Sequence, residues 1–375
     1  MNKTIINFLV LIILVIHKVN AQNIVEVLPG IGTLENAISK CNAGDILQLN
    51  GGSEYLLSTS VSTFGIIDKP LTIQVKNGST EKAIIKLAPN ASTTKKYYFF
   101  TIKDGGALTL SGLDIHGIAK DTAVASSMII FDARPAPQNA RFGNFRFEDC
   151  IFHDFKDYIV HGMKDDYARG SIQDTVFINK LIVYNANHFL QYKHVSLRHI
   201  EMKNSTIYKL NGMALKIGKI GYRCQLLNPT KPYIPLTDST ITPTGFIDHC
   251  TMDDLGDIHG HVQVDDAFHT LTVSNCIISN QQQYNQPALY FLEPKIKTAV
   301  LIQNTCFWRC APPNEMVGGK QWIGYQFEDS MNIEPKYANA SAGNFTLPEN
   351  SLLLTVGKDG GPIGDMRWVK NFTSV

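Results

Sequence analysis

One recurring pattern limits what this chain can fold into. An apolar-x-apolar pair is followed by two residues, the second often Asn, then by a small or apolar residue, any residue and another apolar one. The six copies are 108–115 (LTLSGLDI), 145–152 (FRFEDCIF), 176–183 (VFINKLIV), 200–207 (IEMKNSTI), 271–278 (LTVSNCII) and 300–307 (VLIQNTCF). Each copy predicts two short strands that meet at a sharp corner. Repeats at a period of roughly 20 to 45 residues with period-2 alternation predict an all-β, right-handed parallel β-helix.

The corner residues support this interpretation. They are mostly residue types that tolerate a left-handed backbone: Gly112, Asp149, Lys180, Asn204, Asn275 and Asn304. The inward position after the corner holds Leu113, Cys150, Leu181 and Cys276, with Cys250 in the equivalent place, which predicts a ladder of small buried residues instead of a disulfide framework. The sequence leaves open whether Cys306 and Cys310 pair.

A further strand precedes each repeat, and these strands predict one long stacked sheet. Its strands are expected at 127–131, 158–161, 189–193, 213–217, 261–265 and 288–293. Loops of very different length follow, near 134–140, 164–169 and 219–244. Irregular loops on a regular scaffold are where a solenoid usually carries its function.

Both ends of the coil need protection. Thr33 is expected to N-cap a short helix with Leu34, Ala37, Ile38 and Cys41 on one face, which would seal the first coil. From about residue 328 the repeat is lost, and the glycine-rich run 357–368 is expected to close the far end as an irregular cap.

Composition and the first residues narrow the class of protein. We expect residues 1–21 to be a signal peptide, with an uncleaved anchor as the alternative, and residues 22–375 to form a single domain. No later segment approaches the length of a membrane span, so we expect the protein to be secreted, periplasmic or at the cell surface. We also expect it to be a monomer. With 34 basic and 33 acidic residues and a net charge of +1, the chain has no global field to attract nucleic acid or an anionic membrane.

Several segments resemble a known group. The opening 32–38 (GTLENAI) and 43–49 (AGDILQL) resemble the capping segment of polysaccharide lyase family 6, the chondroitinase-B-like and alginate-lyase-like β-helix proteins. Residues 200–213 and 361–368 resemble related secreted Bacteroidetes β-helix proteins. The resemblance implies a pectate-lyase-like solenoid and a lysine base on the stacked sheet, with an arginine on the following coil. Lys216 stands where the lysine would fall, and the next coil has no arginine at the matching place.

Strand alternation gives a candidate site around that lysine. The alternation predicts a row of outward residues: Lys216, Gln263, Asp265 and Tyr290, extended by His161 and by Gln191 or Lys193. The residues that then point inward are Leu215, Ile217, Val262, Val264, Leu289 and Phe291. Lys216 would act as the base, with His161, Lys193 or Arg223 assisting. Gln191, Gln263, Asp265 and Tyr290 would bind substrate. The alternative is that Lys216 is a solvated surface lysine.

A second cluster lies at 253–266. Its aspartates suggest a calcium site, and His259 with His261 suggests a transition-metal site, although turn chemistry explains the same residues. Asp265, Asp266 and Glu293 are carboxylates that a glycosidase would need.

These observations give the following expectation of function. The protein is a carbohydrate-active β-helix protein that cleaves a uronic-acid polymer by β-elimination, with calcium as a candidate cofactor. The alternatives are a non-catalytic glycan-binding or cell-surface structural protein, and a glycoside hydrolase.

Overall fold

The computed structural model describes most of the chain after the expected signal peptide. The described residues are 22–58, 60–119, 123–134, 140–162, 171–192, 195–217, 244–256, 261–265, 270–282, 287–292, 299–312 and 325–370. Residues 1–21 lie outside them. Within these ranges no helix is both long and apolar enough to cross a membrane.

The described residues form three parallel sheets, which we call A, B and C. Sheet A contains Ile24–Val27, Ile46–Leu49, Pro70–Val75, Ala107–Ser111, Arg141–Phe142, Phe145–Glu148, Ile172–Asn179, Ser196–Lys203, Thr244–Asp248, Thr270–Ser274, Ala299–Gln303 and Tyr325–Glu328. Sheet B contains Gly30–Ile31, Glu54–Leu57, Ala83–Leu87, Leu113–His116, Ile151–His153, Ile182–Ala186, Thr206–Leu210, Thr251–Leu255, Ile277–Ser279 and Cys306–Trp308. Sheet C contains Gly65–Ile67, Tyr98–Ile102, Ser127–Phe131, Tyr158–Gly162, His188–Tyr192, Leu215–Ile217, Val262–Asp265 and Leu289–Leu292.

The order of the strands makes these sheets the three walls of a coil. Along the chain most strands of sheet A are followed by a strand of sheet B, and strands of successive coils pair in parallel, as in Phe145–Glu148 with Ile172–Asn179. Sheet C supplies the third wall. The predicted parallel β-helix is confirmed.

The predicted corner between sheets A and B is present in the backbone. All six expected corner residues have a positive φ, from 45° at Asn204 to 68° at Gly112. His249, at φ 48°, occupies the same corner in the coil between Asn204 and Asn275. A second set of left-handed residues, which the sequence analysis did not predict, lies at or just after the ends of sheet B strands: Asp154, Asn185, Lys209, Asp254, Asn280 and Arg309.

The apolar side chains form one continuous core inside the coil. The inward position after the first corner is fully buried at Leu113, Cys150, Leu181, Cys250 and Cys276. These cysteines are free thiols, as the ladder interpretation predicts. Cys306 and Cys310 are also buried free thiols and do not pair with each other.

A short helix covers the first coil, as predicted, but it begins differently. The helix spans Thr33–Lys40, and its N-cap is Gly32 at φ 73°. Thr33 is therefore not the N-cap, and its hydroxyl donates to the Gly30 carbonyl at 3.3 Å. Leu34 and Ile38 are buried against the coil. A Cβ at Gly65 would lie 2.3 Å from Ile38 Cγ2, so the helix packs directly on the backbone there.

The tail begins beside the last coil, where Met331 forms a parallel bridge with Cys306 of sheet B. After Tyr325–Glu328 it forms three 3-10 turns, at Ala340–Ala342, Leu352–Leu354 and Met366–Trp368, and runs back along the corners between sheets A and B. Asn304 Nδ2 donates to the Val356 carbonyl at 3.1 Å, and the Lys358 N–H donates to Asn275 Oδ1 at 2.9 Å. Arg367 reaches the Lys180 carbonyl at 3.0 Å. The hydrogen bonds that residues 357–368 make to the coil thus go to the flank of earlier coils.

Candidate functional site on sheet C

Five of the sequence-predicted site residues occupy one register position of sheet C. His161 pairs with Gln191, Gln191 with Lys216, Lys216 with Gln263, and Gln263 with Tyr290. We call these five residues the polar row. Because strands stack about 4.8 Å apart, the row extends over roughly 20 Å, and His161 and Lys216 lie about 10 Å apart along the stack.

The polar row faces away from the apolar core. The neighbouring register position, which holds Leu190, Leu215, Val262 and Leu289, belongs to the continuous core. Ile130 precedes His161 at the register position of the row and is buried, yet it is not part of that core. Since side chains alternate between the two faces of a strand, the side chains of His161, Gln191, Lys216 and Gln263 lie on the outer face of sheet C.

The centre of the row is nevertheless shielded from water. Gln191 is 3% exposed, Lys216 8% and Gln263 1%, whereas His161 is half-buried. Lys216 is therefore not a solvated surface lysine. Buried polar groups at this density are costly unless they have polar partners, so the row is a polar site within a dehydrated environment.

Some polar atoms on sheet C lack a hydrogen-bond partner among the described residues. They include Oε1 of Gln191, the hydroxyl of Tyr192 and Oγ of Ser127, all buried. Burial strongly raises the pKa of the Tyr192 phenol. Native proteins satisfy nearly all their buried polar atoms, and exceptions concentrate at sites that bind or react. The amide oxygen of Gln191 belongs to the polar row.

A stack of three rings lies at the His161 end of the row. The imidazole of His161 stacks on the Tyr158 ring with centroids 4.1 Å apart, and Tyr158 stacks on His188 at 5.2 Å. Tyr158 and His188 pair in register, three residues before His161 and Gln191 respectively. The sequence analysis missed both residues. Aligning the start of consecutive strands of sheet C, as well as their outward positions, would have found them.

The remaining candidate residues have less structural description. Asp265 ends the strand Val262–Asp265 and pairs with Leu292, two residues beyond the row. The side chains of Asp265 and Tyr290, and all of Lys193 and Arg223, lie outside what the structure describes. The register partner of Lys216 on the next coil is Gln263, where the family resemblance implies an arginine.

The second cluster does not assemble a metal site in the described residues. Asp253 is on sheet B, where its Oδ1 accepts from Ser279 Oγ at 2.6 Å and from Asn280 Nδ2 at 2.8 Å. Burial raises the pKa of Asp253. His261 is fully buried, with Nε2 3.4 Å from the Ser279 carbonyl, and burial lowers its pKa to about 4. Within the described ranges no three His, Cys, Asp or Glu side chains group to hold a metal ion, and His259 and Asp266 fall outside them.

Solved structures with similar folds include carbohydrate-active enzymes. The chain is similar to a mutant of the PL6-family alginate lyase AlyGC, with 15% identity and a TM-score of 0.48 over 82% of this chain and 40% of that one. For AlyGC itself the identity is 14% and the TM-score 0.44, over 84% and 37% of the two chains. A GH136 lacto-N-biosidase from Eubacterium ramulus matches at 11% identity and a TM-score of 0.38, over 80% and 64%. The chain thus spans about 40% of the length of the alginate lyase, and at these identities the likeness concerns the fold alone.

At the level of sequence, residues 245–368 match the model of a family described as a domain of unknown function, DUF5123. This segment contains the last coils and the tail. No curated protein matches the sequence.

Proposed function

We propose that the protein binds a polysaccharide along the polar row of sheet C and cleaves it at Lys216 by β-elimination of a uronic-acid polymer. The observation that carries the proposal is the placement of a largely buried lysine in register between two buried glutamines, Gln191 and Gln263. A glycan chain laid along the stack would meet a new side chain about every 4.8 Å. Two coils would then correspond to one or two sugar rings.

Lys216 has the central role in the proposed reaction. Lys216, as the neutral amine, removes the proton from the carbon beside the uronate carboxylate. The C–H electrons form the new C=C bond, and the bond from the neighbouring carbon to the glycosidic oxygen breaks. Burial disfavours the charged form of an amine, which suits a lysine that must accept a proton.

The glutamines and the histidine act on the charges that this step creates. The side-chain amides of Gln191 and Gln263 donate to the carboxylate as negative charge builds up on it. The leaving oxygen takes the electron pair of the broken bond, and His161 donates the proton that turns it into a hydroxyl, with Lys193 or Arg223 as further candidates. Asp265 and Tyr290 extend the substrate-binding surface. We also propose that the protein acts outside the cell as a monomer.

One observation favours a second function, glycan binding without cleavage. Gln263 occupies the register position at which the resemblance implies an arginine. An amide carries no charge to neutralise the carboxylate, so the elimination would lose one source of stabilisation. A calcium ion bound with the substrate is a candidate replacement, which the assay below includes.

The test is the ultraviolet absorbance of the unsaturated product, followed on alginate, pectate and glycosaminoglycans with and without calcium. We expect absorbance to rise with at least one polymer, and Lys216→Gln to abolish the rise. Lys76→Gln is the matched control, because Lys76 is half exposed and directly follows a strand of sheet A, Pro70–Val75, whereas the polar row lies on sheet C. Full activity in Lys216→Gln contradicts the proposal. Saturable glycan binding without any absorbance selects the binding function, and new reducing ends without absorbance select a glycosidase.

A further inference from the structure

The ring stack at the end of the polar row joins two coils that carry candidate catalytic residues. His161 and His188 both stack on the Tyr158 ring, with interplanar angles of 27° and 10°. None of the three residues belongs to the continuous apolar core.

His188 is itself fixed by the coil of Lys216. The Met213 N–H donates to Nδ1 of His188 at 2.9 Å, and Met213 lies three residues before Lys216. An imidazole nitrogen that accepts a hydrogen bond carries no proton, so the ring proton of neutral His188 is on Nε2. Gly212 allows this approach, since a Cβ there would lie 2.2 Å from His188 Cε1.

We propose that Tyr158 and His188 are positioning residues, which hold the imidazole of His161 at a fixed place relative to the strand of Lys216. The proposal rests on the function proposed above, because it assigns the stack a purpose in that reaction. The connection runs from the backbone of Met213 through His188 and Tyr158 to His161. A catalytic group displaced by about 1 Å can lose on the order of 100-fold in rate, so a stack that prevents such displacement has kinetic value.

The stack has a spectroscopic signature that does not depend on activity. A ring 4.1 Å above an imidazole shifts the Cε1 proton of that imidazole upfield through its ring current. We would label the full-length protein with histidine carrying ¹³C at Cε1 and identify the His161 signal by its loss in His161→Gln. The wild-type signal is expected upfield of the free-histidine position.

Four variants test the positioning. Tyr158→Leu and His188→Ala should move the His161 signal toward the free-histidine position and lower kcat by about 100-fold with KM unchanged. Tyr158→Phe keeps the ring and should keep both the shift and kcat. Tyr184→Leu removes a comparable stack, on His153 at 4.6 Å in sheet B, and should change neither.

The outcomes separate this inference from the proposed function. A His161 signal that stays in place in Tyr158→Leu and His188→Ala overturns the positioning, as does a lost shift with unchanged kcat. Should Tyr158→Leu fail to fold, Gly212→Ala displaces His188 instead and is read in the same way. A wild type without β-elimination refutes the proposed reaction, while the ring shift still decides whether the stack holds His161.

Discussion

Arg367 provides a sharp test of how the tail is attached to the coil. Its guanidinium donates to the carbonyls of Lys180 at 3.0 Å and Leu181 at 2.8 Å, and it pairs with Asp365. The Asp365 side chain is fully buried, whereas Arg367 is 25% exposed. Asp365 also accepts from the Thr206 hydroxyl at 2.6 Å. Removing Arg367 would leave a buried carboxylate without its cation.

The expected cost follows from that burial. Breaking a buried ion pair by removing one partner typically costs 3–5 kcal/mol, and the partial exposure of Arg367 places this case near the lower end, about 3 kcal/mol. Arg367→Met should therefore lower the free energy of unfolding by about 3 kcal/mol. Adding Asp365→Asn removes the unpaired charge, so the double variant should recover about 2 kcal/mol of the loss.

Urea unfolding followed by tryptophan fluorescence measures these values. Trp368 is a suitable reporter because its Nε1 donates to Thr206 Oγ1 at 2.7 Å. Lys370→Gln is the matched control: its ion pair with Glu349 is exposed on both sides and should contribute less than about 1 kcal/mol. A loss in Arg367→Met as small as in Lys370→Gln would refute the reasoning. So would a double variant whose loss is simply the sum of the losses in Arg367→Met and Asp365→Asn.

Two further predictions concern a titrating ion pair and a corner. Burial by itself lowers the pKa of His153, but hydrogen bonds to Asp114 and Asp154 outweigh it and raise the pKa to about 9. A raised pKa stabilises the fold below the unfolded value of about 6.5 and loses that effect as pH rises through 9. His153→Gln should therefore cost about 2 kcal/mol at pH 6 and much less at pH 10, and urea unfolding that gives equal losses at both pH values would contradict this. At Asn275, with φ 51°, alanine should destabilise the protein by about 1 kcal/mol more than glycine, because only alanine is strained in a left-handed backbone; equal midpoints in urea for the two variants would show that the corner carries no strain.

The sequence predicted the corners well where residue type and position agreed. Asn204, Asn275 and Asn304 are in the left-handed conformation, and so is Lys180, which alignment with its neighbours identified although its residue type does not favour it. The second set of left-handed residues was missed because it includes Lys209 and Arg309, whose types give no signal. Alternation within the strands of sheet C likewise brought His161, Gln191, Lys216 and Gln263 into one row.

Interactions between distant parts of the chain were beyond the sequence. The glycine-rich tail shows no periodicity. Nothing in its composition indicates that Arg367 contacts the corner residue Lys180 or that Asp365 contacts Thr206, both more than 150 residues earlier. The burial of Lys216 and the contact of Met213 with His188 also depend on which segments cover sheet C and how closely they approach.

The repeat in the sequence determined the coil, the corners and the identity of the polar row, because a period-2 pattern with a recurring corner fixes both the register and the outward face of each strand. Only the tertiary structure decided that the centre of the row is shielded from water, that a ring stack ties His161 to the coil of Lys216, and that the tail runs along the flank. Burial and long-range contacts depend on the summed packing of many segments, which no local pattern encodes.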